Sequence, residues 1–510
     1  MLTLPILSSK IKIDSGKGKS VSLLIPPSLF LLDERVFMSL GVLKVASSLE
    51  SAGYKVNVID TSGISNYLDV VESYTKDCND IAIGITTTTP QLPAVKLIIE
   101  RIRSVRPDLK IILGGPHITL VDSARKMEVK QKRADRAHRA FDKLQNLVDV
   151  LVSGDGEYSI FTALRPDSPK LIDADDHKGE YFMDDEVYEA SPYPARHLVD
   201  AKSYKYMIDG KPSTSLIAQL GCPFACAYCG GRNSKSLRMI RTRSSESIIK
   251  EIKFLHETYG HTGFMFYDDE LNVNKGLVDL MNKISDLQSE LGVDFSLRGF
   301  IKSELFNEEQ ASSMYRAGFR WLLCGFEAAD PRILTNIQKR ATVEDNDNVM
   351  DIANKYDLKV KALMSIGHAG ESENSIRAVH DWLIKSKPAD FDCTVITTYP
   401  GTPYYDEAYK NQEFDNVWTY TSPRTGDRLH AYDVDFTEVS EYYKGDPNGG
   451  YKSYTFTDHL SSEQIVELRN WVESDVRLKL NIPFNHASPS VRYEHSMGQS
   501  NLPDFILRSS

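Results

Sequence analysis

Gly221-Cys222-Pro223-Phe224-Ala225-Cys226-Ala227-Tyr228-Cys229-Gly230 holds three of the six cysteines of this 510-residue chain, spaced Cys-x3-Cys-x2-Cys with an aromatic residue before the last. Three thiolates are one short of the four that saturate an iron–sulfur cluster. A four-iron cubane held by Cys222, Cys226 and Cys229 therefore keeps one iron open to an outside ligand. Zinc is the rival reading, but structural zinc takes four ligands in pairs. The chain has no second Cys-x2-Cys. The ligand count favours the cluster. Cys78, Cys324 and Cys393 stand singly and read as inert buried thiols. With no disulfide framework, a reducing, cytoplasmic setting is expected.

Outward from the cysteines, strand and helix patterns alternate. Ser215–Leu220 reads as the strand that delivers the cysteine loop. Five further strands follow at Gly263–Tyr267, Val293–Leu297, Arg320–Gly325, Leu358–Met364 and Phe391–Ile396, separated by helical stretches. Six strand–helix units make a partial (β/α)6 barrel rather than the eight of a full one, and such barrels do their chemistry at the carboxyl ends of the strands. Polar residues collect at those ends: Asp268-Asp269-Glu270, Arg298, Glu327, and the run Ile366-Gly-His-Ala-Gly-Glu-Ser372. Arg320 precedes its strand and faces the other end.

Residues 20 to 153 also alternate, with apolar strands at Val21–Ile25, Lys55–Asp60, Ile81–Ile85, Lys110–Leu113 and Val148–Val152. Continuous apolar strands between helices mean a parallel sheet covered on both faces, a doubly wound Rossmann-like α/β domain. Such sheets bind ligands beyond the carboxyl ends of their strands. Here those ends carry Thr86, Thr87, Thr88, Gly114, Gly115, Gly154, Gly156 and Glu157. No Gly-x-Gly-x-x-Gly follows the first strand, which argues against a dinucleotide.

The cysteine spacing and its Cys-x-aromatic-Cys ending resemble the radical S-adenosylmethionine (AdoMet) superfamily. Gly41–Asp60, Gly114-Gly-Pro-His117 and Val148–Glu157 resemble the cobalamin-binding domain that precedes the radical core in one large subclass. Cys324-Gly-Phe-Glu327, Ile366–Ser372 and Tyr399-Pro-Gly-Thr-Pro403 are similar to further runs of that subclass. Ala328 stands where serine is common, and Ala369 where proline is. The resemblance spans about residues 20 to 405. It implies a four-iron cluster on the cysteine triad, AdoMet held by Tyr228, Asp268, Asp269, Arg298, Glu327, Ile366 and Gly367, and cobalamin held by the strand-end residues above together with His117. It also implies methyl transfer from methylcobalamin to an unactivated carbon through a 5′-deoxyadenosyl radical, with an external electron donor such as flavodoxin or ferredoxin. A cyclase or rearrangement enzyme using the same cofactors is the alternative enzymatic reading, and a cobalamin or iron–sulfur sensor the non-catalytic one. No Asp-x-His-x-x-Gly run occurs, so cobalamin is expected with its base detached and no histidine on cobalt.

The expected organisation is an N-terminal extension over 1–19, the cobalamin-binding domain over 20–160, a Pro-rich and acidic linker over 161–210, the barrel over 211–405, and a smaller C-terminal segment over 406–510. That segment is aromatic (Trp418, Tyr420, Tyr442, Tyr443, Tyr451, Tyr454), has a loop at Asp446–Gly450, and carries one clear helix after Ser461 that makes it α-containing. Its aromatics are candidate walls for a small-molecule or peptide substrate. The net charge of −11 argues against general nucleic-acid binding, and the basic run over 125–139 reads as a solvated helix face. No basic leader region opens the chain and no eighteen-residue apolar stretch occurs, so neither a signal peptide nor a membrane span is expected.

Overall fold

The computed structural model describes residues 13–28, 34–439 and 451–483. Residues 1–12 of the expected N-terminal extension, Tyr442, Tyr443 and the Asp446–Gly450 loop lie outside the described residues.

Strands β1 (Ser20–Ile25), β2 (Lys55–Asp60), β3 (Ala82–Thr86), β4 (Lys110–Gly114), β5 (Val150–Gly154) and β6 (Leu171–Ala174) form one parallel sheet in the order β2-β1-β3-β4-β5-β6. Alternate side chains along each strand go to opposite faces, and both faces are apolar. Val21, Leu23, Ile112 and Val152 pack with helices α1 (Leu40–Ser51) and α6 (Gly156–Ala163). Leu24, Ile83, Leu113 and Leu151 pack on the other side with α2 (Tyr67–Asp77), α3 (Leu92–Val105), α4 (Pro116–Lys130) and α5 (Arg136–Leu147). The order reverses between β1 and β3, which opens a crevice at their carboxyl ends. The sheet runs past the boundary expected at residue 160. β6, inside the stretch read as linker, pairs Leu151↔Leu171 through Gly154↔Ala174. Four residues between proline-rich and acidic stretches carry too little periodicity to announce a strand.

The second sheet has the order β15-β14-β13-β12-β11-β8-β7. Its six parallel strands are β8 (Lys211–Leu216), β11 (Gly263–Phe266), β12 (Ser296–Ile301), β13 (Phe319–Glu327), β14 (Lys359–Ile366) and β15 (Asp390–Val395), with short β7 (Met207–Ile208) antiparallel at the edge. Six parallel strands match the expected partial barrel. The strand before the cysteines starts four residues earlier than expected, because its middle is Ser213-Thr214-Ser215, buried hydroxyl residues invisible to an apolar count. Gln219–Leu220 (β9) leaves the barrel and pairs with Arg241–Thr242 (β10), closing the base of the cysteine loop.

The C-terminal segment holds the expected helix and, ahead of it, a sheet. β16 (Tyr409–Lys410), β17 (Val417–Thr421), β18 (Arg428–Tyr432) and β19 (Thr455–Thr457) form an antiparallel sheet ahead of the expected helix, here α7 (Ser462–Leu480). That helix has the predicted capping box at Ser461 and Gln464. It seals the free edge of the barrel. Cys393 N–H donates to Glu473 at 2.8 Å, Arg469 Nε donates to Cys393 O at 2.9 Å, Arg477 donates to Phe391 O at 2.6 Å, and Val395 N–H donates to the Tyr451 hydroxyl at 3.1 Å. The outer backbone groups of β15 are thus satisfied by side chains instead of a further strand.

The basic run over 125–139 corrects one expectation. Arg136 is buried at 4 % exposure, its guanidinium 3.6 Å from the Tyr405 ring centre and 4.5 Å from that of Trp418. It docks the N-terminal domain onto the segment after the barrel.

Candidate active site

Cys222, Cys226 and Cys229 line one cavity of about 240 Å³ at the carboxyl ends of the barrel strands. The loop that carries them is held from several sides. Cys222 N–H donates to Leu237 O at 3.1 Å, Ala227 N–H to Ile337 O at 2.8 Å, and Gly231 N–H to Gly401 O at 3.1 Å. Arg238 donates to the carbonyls of Pro223 and Phe224. Asp406 accepts from Gly401 N–H and from Asn233, each at 3.0 Å, which ties the Tyr399–Pro403 turn to the end of the cysteine loop. Gly221 opens the loop at φ 87°, and a methyl group there would stand 2.2 Å from Met239 O, so only glycine fits.

Burial pushes the Cys222 thiol up to about 12 and raises Cys226 and Cys229 as well. Thiols in this hollow need an electropositive partner to ionise. Among the described residues no three Cys, His, Asp or Glu side chains converge as ligands of a single ion. Three thiols spread around one cavity fit ligands of separate irons in a cubane, with Arg232, Arg238, Lys302 and Lys339 available on the walls to balance charge.

Glu327 is the central carboxylate. A register shift in β13 between Gly325 and Glu327, with Glu327 at φ 65°, turns this side chain into the cavity. Its Oε1 lies 3.2 Å from Lys339 Nζ, and its Oε2 accepts from Ser365 at 2.7 Å. Burial alone would raise it, yet Lys339, Ser365 and Tyr228 outweigh burial and hold it below the usual carboxylate range. Tyr228 lines the same cavity and meets the His368 ring edge-on at 5.4 Å. His368 is itself fully buried between Ser365 (2.9 Å) and Tyr404 (3.3 Å), and burial lowers it to about 4, so it stays neutral. Asp269 also lines the cavity, as does Glu270, which burial raises to about 7.

Four of the residues expected around AdoMet are not on the walls of this cavity. Asp268 accepts the backbone N–H groups of Ala218 (3.2 Å) and Gln219 (2.5 Å), pinning the strand end ahead of the cysteine loop. Ile366 has its carbonyl taken by Ile396 N–H at 2.9 Å, and Gly367 packs against Thr455, Val395 and Ile396. Arg298 is on the barrel's inner face but deeper, over Trp321 at 5.6 Å. Lys302, four residues on and about 13 Å further along an extended chain, reaches the cavity instead. Lys302 lies 2.8 Å from Glu304 and sits over the Phe224 ring at 4.3 Å. Sequence reading missed it although period two from Arg298 through Phe300 points to it. It also missed Lys339, on a loop with no motif.

In the N-terminal domain a second cavity, of about 300 Å³, runs between the sheet and helices α1 and α6. Thr86, Gly114, Gly115, Gly154, Gly156 and Glu157 line it, as expected, with Leu23, Gly84, Val42 and Val45 deeper in. Its shape depends on missing side chains. A methyl group at Gly84 would stand 2.8 Å from Leu23, one at Gly115 2.6 Å from Thr87 N, and one at Gly156 2.9 Å from Val45. A mostly apolar slot of this size takes a flat heterocycle rather than a macrocycle, which fits the detached base of cobalamin. Thr87, Thr88 and His117 are not on it. Thr87 is buried, Thr88 caps the following turn, and His117 lies on the opposite face of the sheet, 2.9 Å from Thr89 Oγ1 and edge-on to Phe436. Helix α4 begins at Pro116, so the residue after it turns away from the Gly114-Gly115 strand end.

A barrel with a three-cysteine cavity, preceded by a parallel sheet with a glycine-walled slot, defines a class of enzyme. Residues 216–383 match the Radical SAM superfamily and residues 34–135 match the B12 binding domain, together more than half of the 510 residues. The chain belongs to the cobalamin-binding branch of the radical AdoMet enzymes. It is 26 % identical to an uncharacterized methyltransferase of Pyrococcus horikoshii, over 78 % of this chain and 84 % of that one. It is 22 % identical to the anaerobic magnesium-protoporphyrin IX monomethyl ester cyclase of Rubrivivax gelatinosus, over 81 % and 74 %. Its fold is similar to the radical AdoMet methyltransferase TsrM from Kitasatospora setae, solved with cobalamin and a [4Fe-4S] cluster bound, at a TM-score of 0.61 and 17 % identity, covering 79 % of this chain and 81 % of that one.

Proposed function

We propose that the protein is a cobalamin-dependent radical AdoMet methyltransferase acting on a carbon that carries no acidic proton. One observation carries this reading: the cysteine-lined cavity and the glycine-walled slot adjoin, sharing the wall residue Leu237. When bound, the cluster and AdoMet supply a radical that takes a hydrogen atom, and cobalamin supplies the methyl group. Cys222, Cys226 and Cys229 hold the cluster. Asp269, Glu270 and Glu327 offer carboxylates to the amino group of AdoMet, and Lys302 and Lys339 offer ammonium groups to its carboxylate. Lys339 also keeps Glu327 ionised, so that this acceptor is ready before the ligand arrives. The slot residues Thr86, Gly114, Gly115, Gly154 and Gly156 would hold the detached base of cobalamin. The reading implies an outside one-electron donor and a cytoplasmic setting. No helix among the described residues is long and apolar enough to cross a membrane.

The test is anaerobic reconstitution with iron, sulfide, hydroxocobalamin and AdoMet, followed by mass analysis of products from candidate small molecules and peptides. A gain of one methyl group with 5′-deoxyadenosine release is expected. Likeness to the Rubrivivax cyclase supports a second reading, ring closure without methyl transfer, for which the same measurement would show loss of hydrogen and no added methyl. A protein that binds both cofactors yet releases no 5′-deoxyadenosine with any substrate would be a sensor instead.

A further inference from the structure

Among the described residues, Leu237 is the one common to the walls of the cysteine cavity and the cobalamin slot. Leu220 and Ser236 line the slot beside it, whereas Cys222, Gly230 and Arg238 line the cavity. In the run Arg232-Asn-Ser-Lys-Ser-Leu-Arg238 it is the only apolar residue. The segment that separates the cavities therefore presents its single aliphatic side chain at the boundary.

That side chain is seated on a glycine. Gly231, at φ 81°, lies under it, and a methyl group there would stand 2.6 Å from Leu237 Cδ1 and 2.8 Å from its Cβ. The bare backbone of Gly231 is thus the seat on which Leu237 rests. Its main chain is held as well. Leu237 O accepts Cys222 N–H at 3.1 Å, and Leu237 N–H donates to Ser234 Oγ at 3.2 Å. Ser234 and Ser236 in turn donate to Asp175 at 2.6 and 2.7 Å. The wall between the cavities is anchored to the first cysteine at one end and to the N-terminal domain at the other.

We propose that Leu237 is the partition between the AdoMet cavity and the slot for the cobalamin base, and that its bulk is what lets both be filled at once. This makes it a positioning residue on the walls of both cavities, and the inference rests on the function proposed above. An aliphatic partition suits that place, because it adds no charge, no proton and no thiol to compete with the substrate.

Equilibrium binding tests it. AdoMet and hydroxocobalamin are titrated singly and together into reconstituted wild-type protein and into Leu237→Met, Leu237→Phe and Leu237→Trp. Wild type and Leu237→Met should bind both reagents at once, each with nearly the same affinity alone or together. Leu237→Trp should bind the second reagent, once the first is in place, about tenfold more weakly than it binds that reagent alone, as overpacking a fixed wall predicts. Leu237→Phe should show the same antagonism to a smaller degree. If both aromatic variants bind the pair as independently as wild type, Leu237 is no partition. Wild-type protein that takes up only one of the two reagents would overturn the functional reading as well, which separates the two failures.

Discussion

Lys339 Nζ and Glu327 Oε1 lie 3.2 Å apart across the bare backbone of Gly325, where a methyl group would stand 3.1 Å from the ammonium and 2.5 Å from the carboxylate oxygen. The pair is buried, at 3 % and 9 % exposure, and removing one charge leaves the other uncompensated. Glu327→Gln should therefore weaken AdoMet binding about ten- to a hundredfold with iron content unchanged. Gly325→Ala should do the same by pushing the pair apart. Calorimetric titration of AdoMet into each reconstituted variant measures this. Wild-type affinity in Glu327→Gln would return the residue to a purely structural role.

The cysteines divide into two groups with different consequences. Cys226→Ala should lose the four-iron cluster and all AdoMet cleavage, because two thiolates leave the cubane one protein ligand short. Cys78, Cys324 and Cys393 lie outside the cavity, the last two fully buried. Their joint replacement by alanine should leave iron and sulfide content unchanged after reconstitution. A drop in iron in that triple variant would reveal a second cluster.

Glu371 gives a pH prediction. It is buried at 1 %, and burial, opposed by Ser375 and by the His368 and Gly367 N–H groups, raises it from 4.5 to about 7. The folded protein thus holds this proton more tightly than the unfolded chain does. Its stabilising effect is complete below about pH 4.5 and is lost as pH rises through 7, a change of about 3 kcal/mol. Glu371→Gln should gain on wild type in urea midpoint as pH is raised from 4.5 to 7.5. An offset that stays constant across that range would show that Glu371 does not titrate on folding.

His117 lies across the sheet from the slot, hydrogen-bonded to Thr89, and burial lowers it to about 3. Cobalamin should therefore be bound without a histidine on the metal. The electron paramagnetic resonance spectrum of the Co(II) protein should lack nitrogen splitting, and His117→Ala should leave it unchanged. A three-line pattern that disappears in this variant would make His117 the ligand.

The sequence showed those parts of the molecule whose chemistry is written in neighbouring residues. The cysteine triad, six parallel barrel strands and glycine-bearing strand ends follow from local spacing and from apolar runs. What it concealed depends on depth and direction. Arg298 and Lys302 share a face of one strand, and only the rise per residue decides which of them reaches the cavity. Asp268 and Asp269 are adjacent carboxylates, yet successive side chains diverge, so one ties down backbone and the other faces the hollow. His117 sits one residue past Pro116, where the chain enters a helix and leaves the slot. The C-terminal sheet was missed because its strands are short, and its aromatic residues read equally well as packing or as binding walls.

The edge of the barrel has a practical consequence. Because β15 is finished by Arg469, Glu473, Arg477 and Tyr451 and not by a neighbouring strand, the barrel's solubility is encoded some sixty to eighty residues beyond the strand itself. A fragment cut after residue 405, the boundary that sequence alone would recommend, would bare an open row of strand donors and acceptors to other chains. Such a fragment should form aggregates, whereas the same domain carried through Leu480 should not.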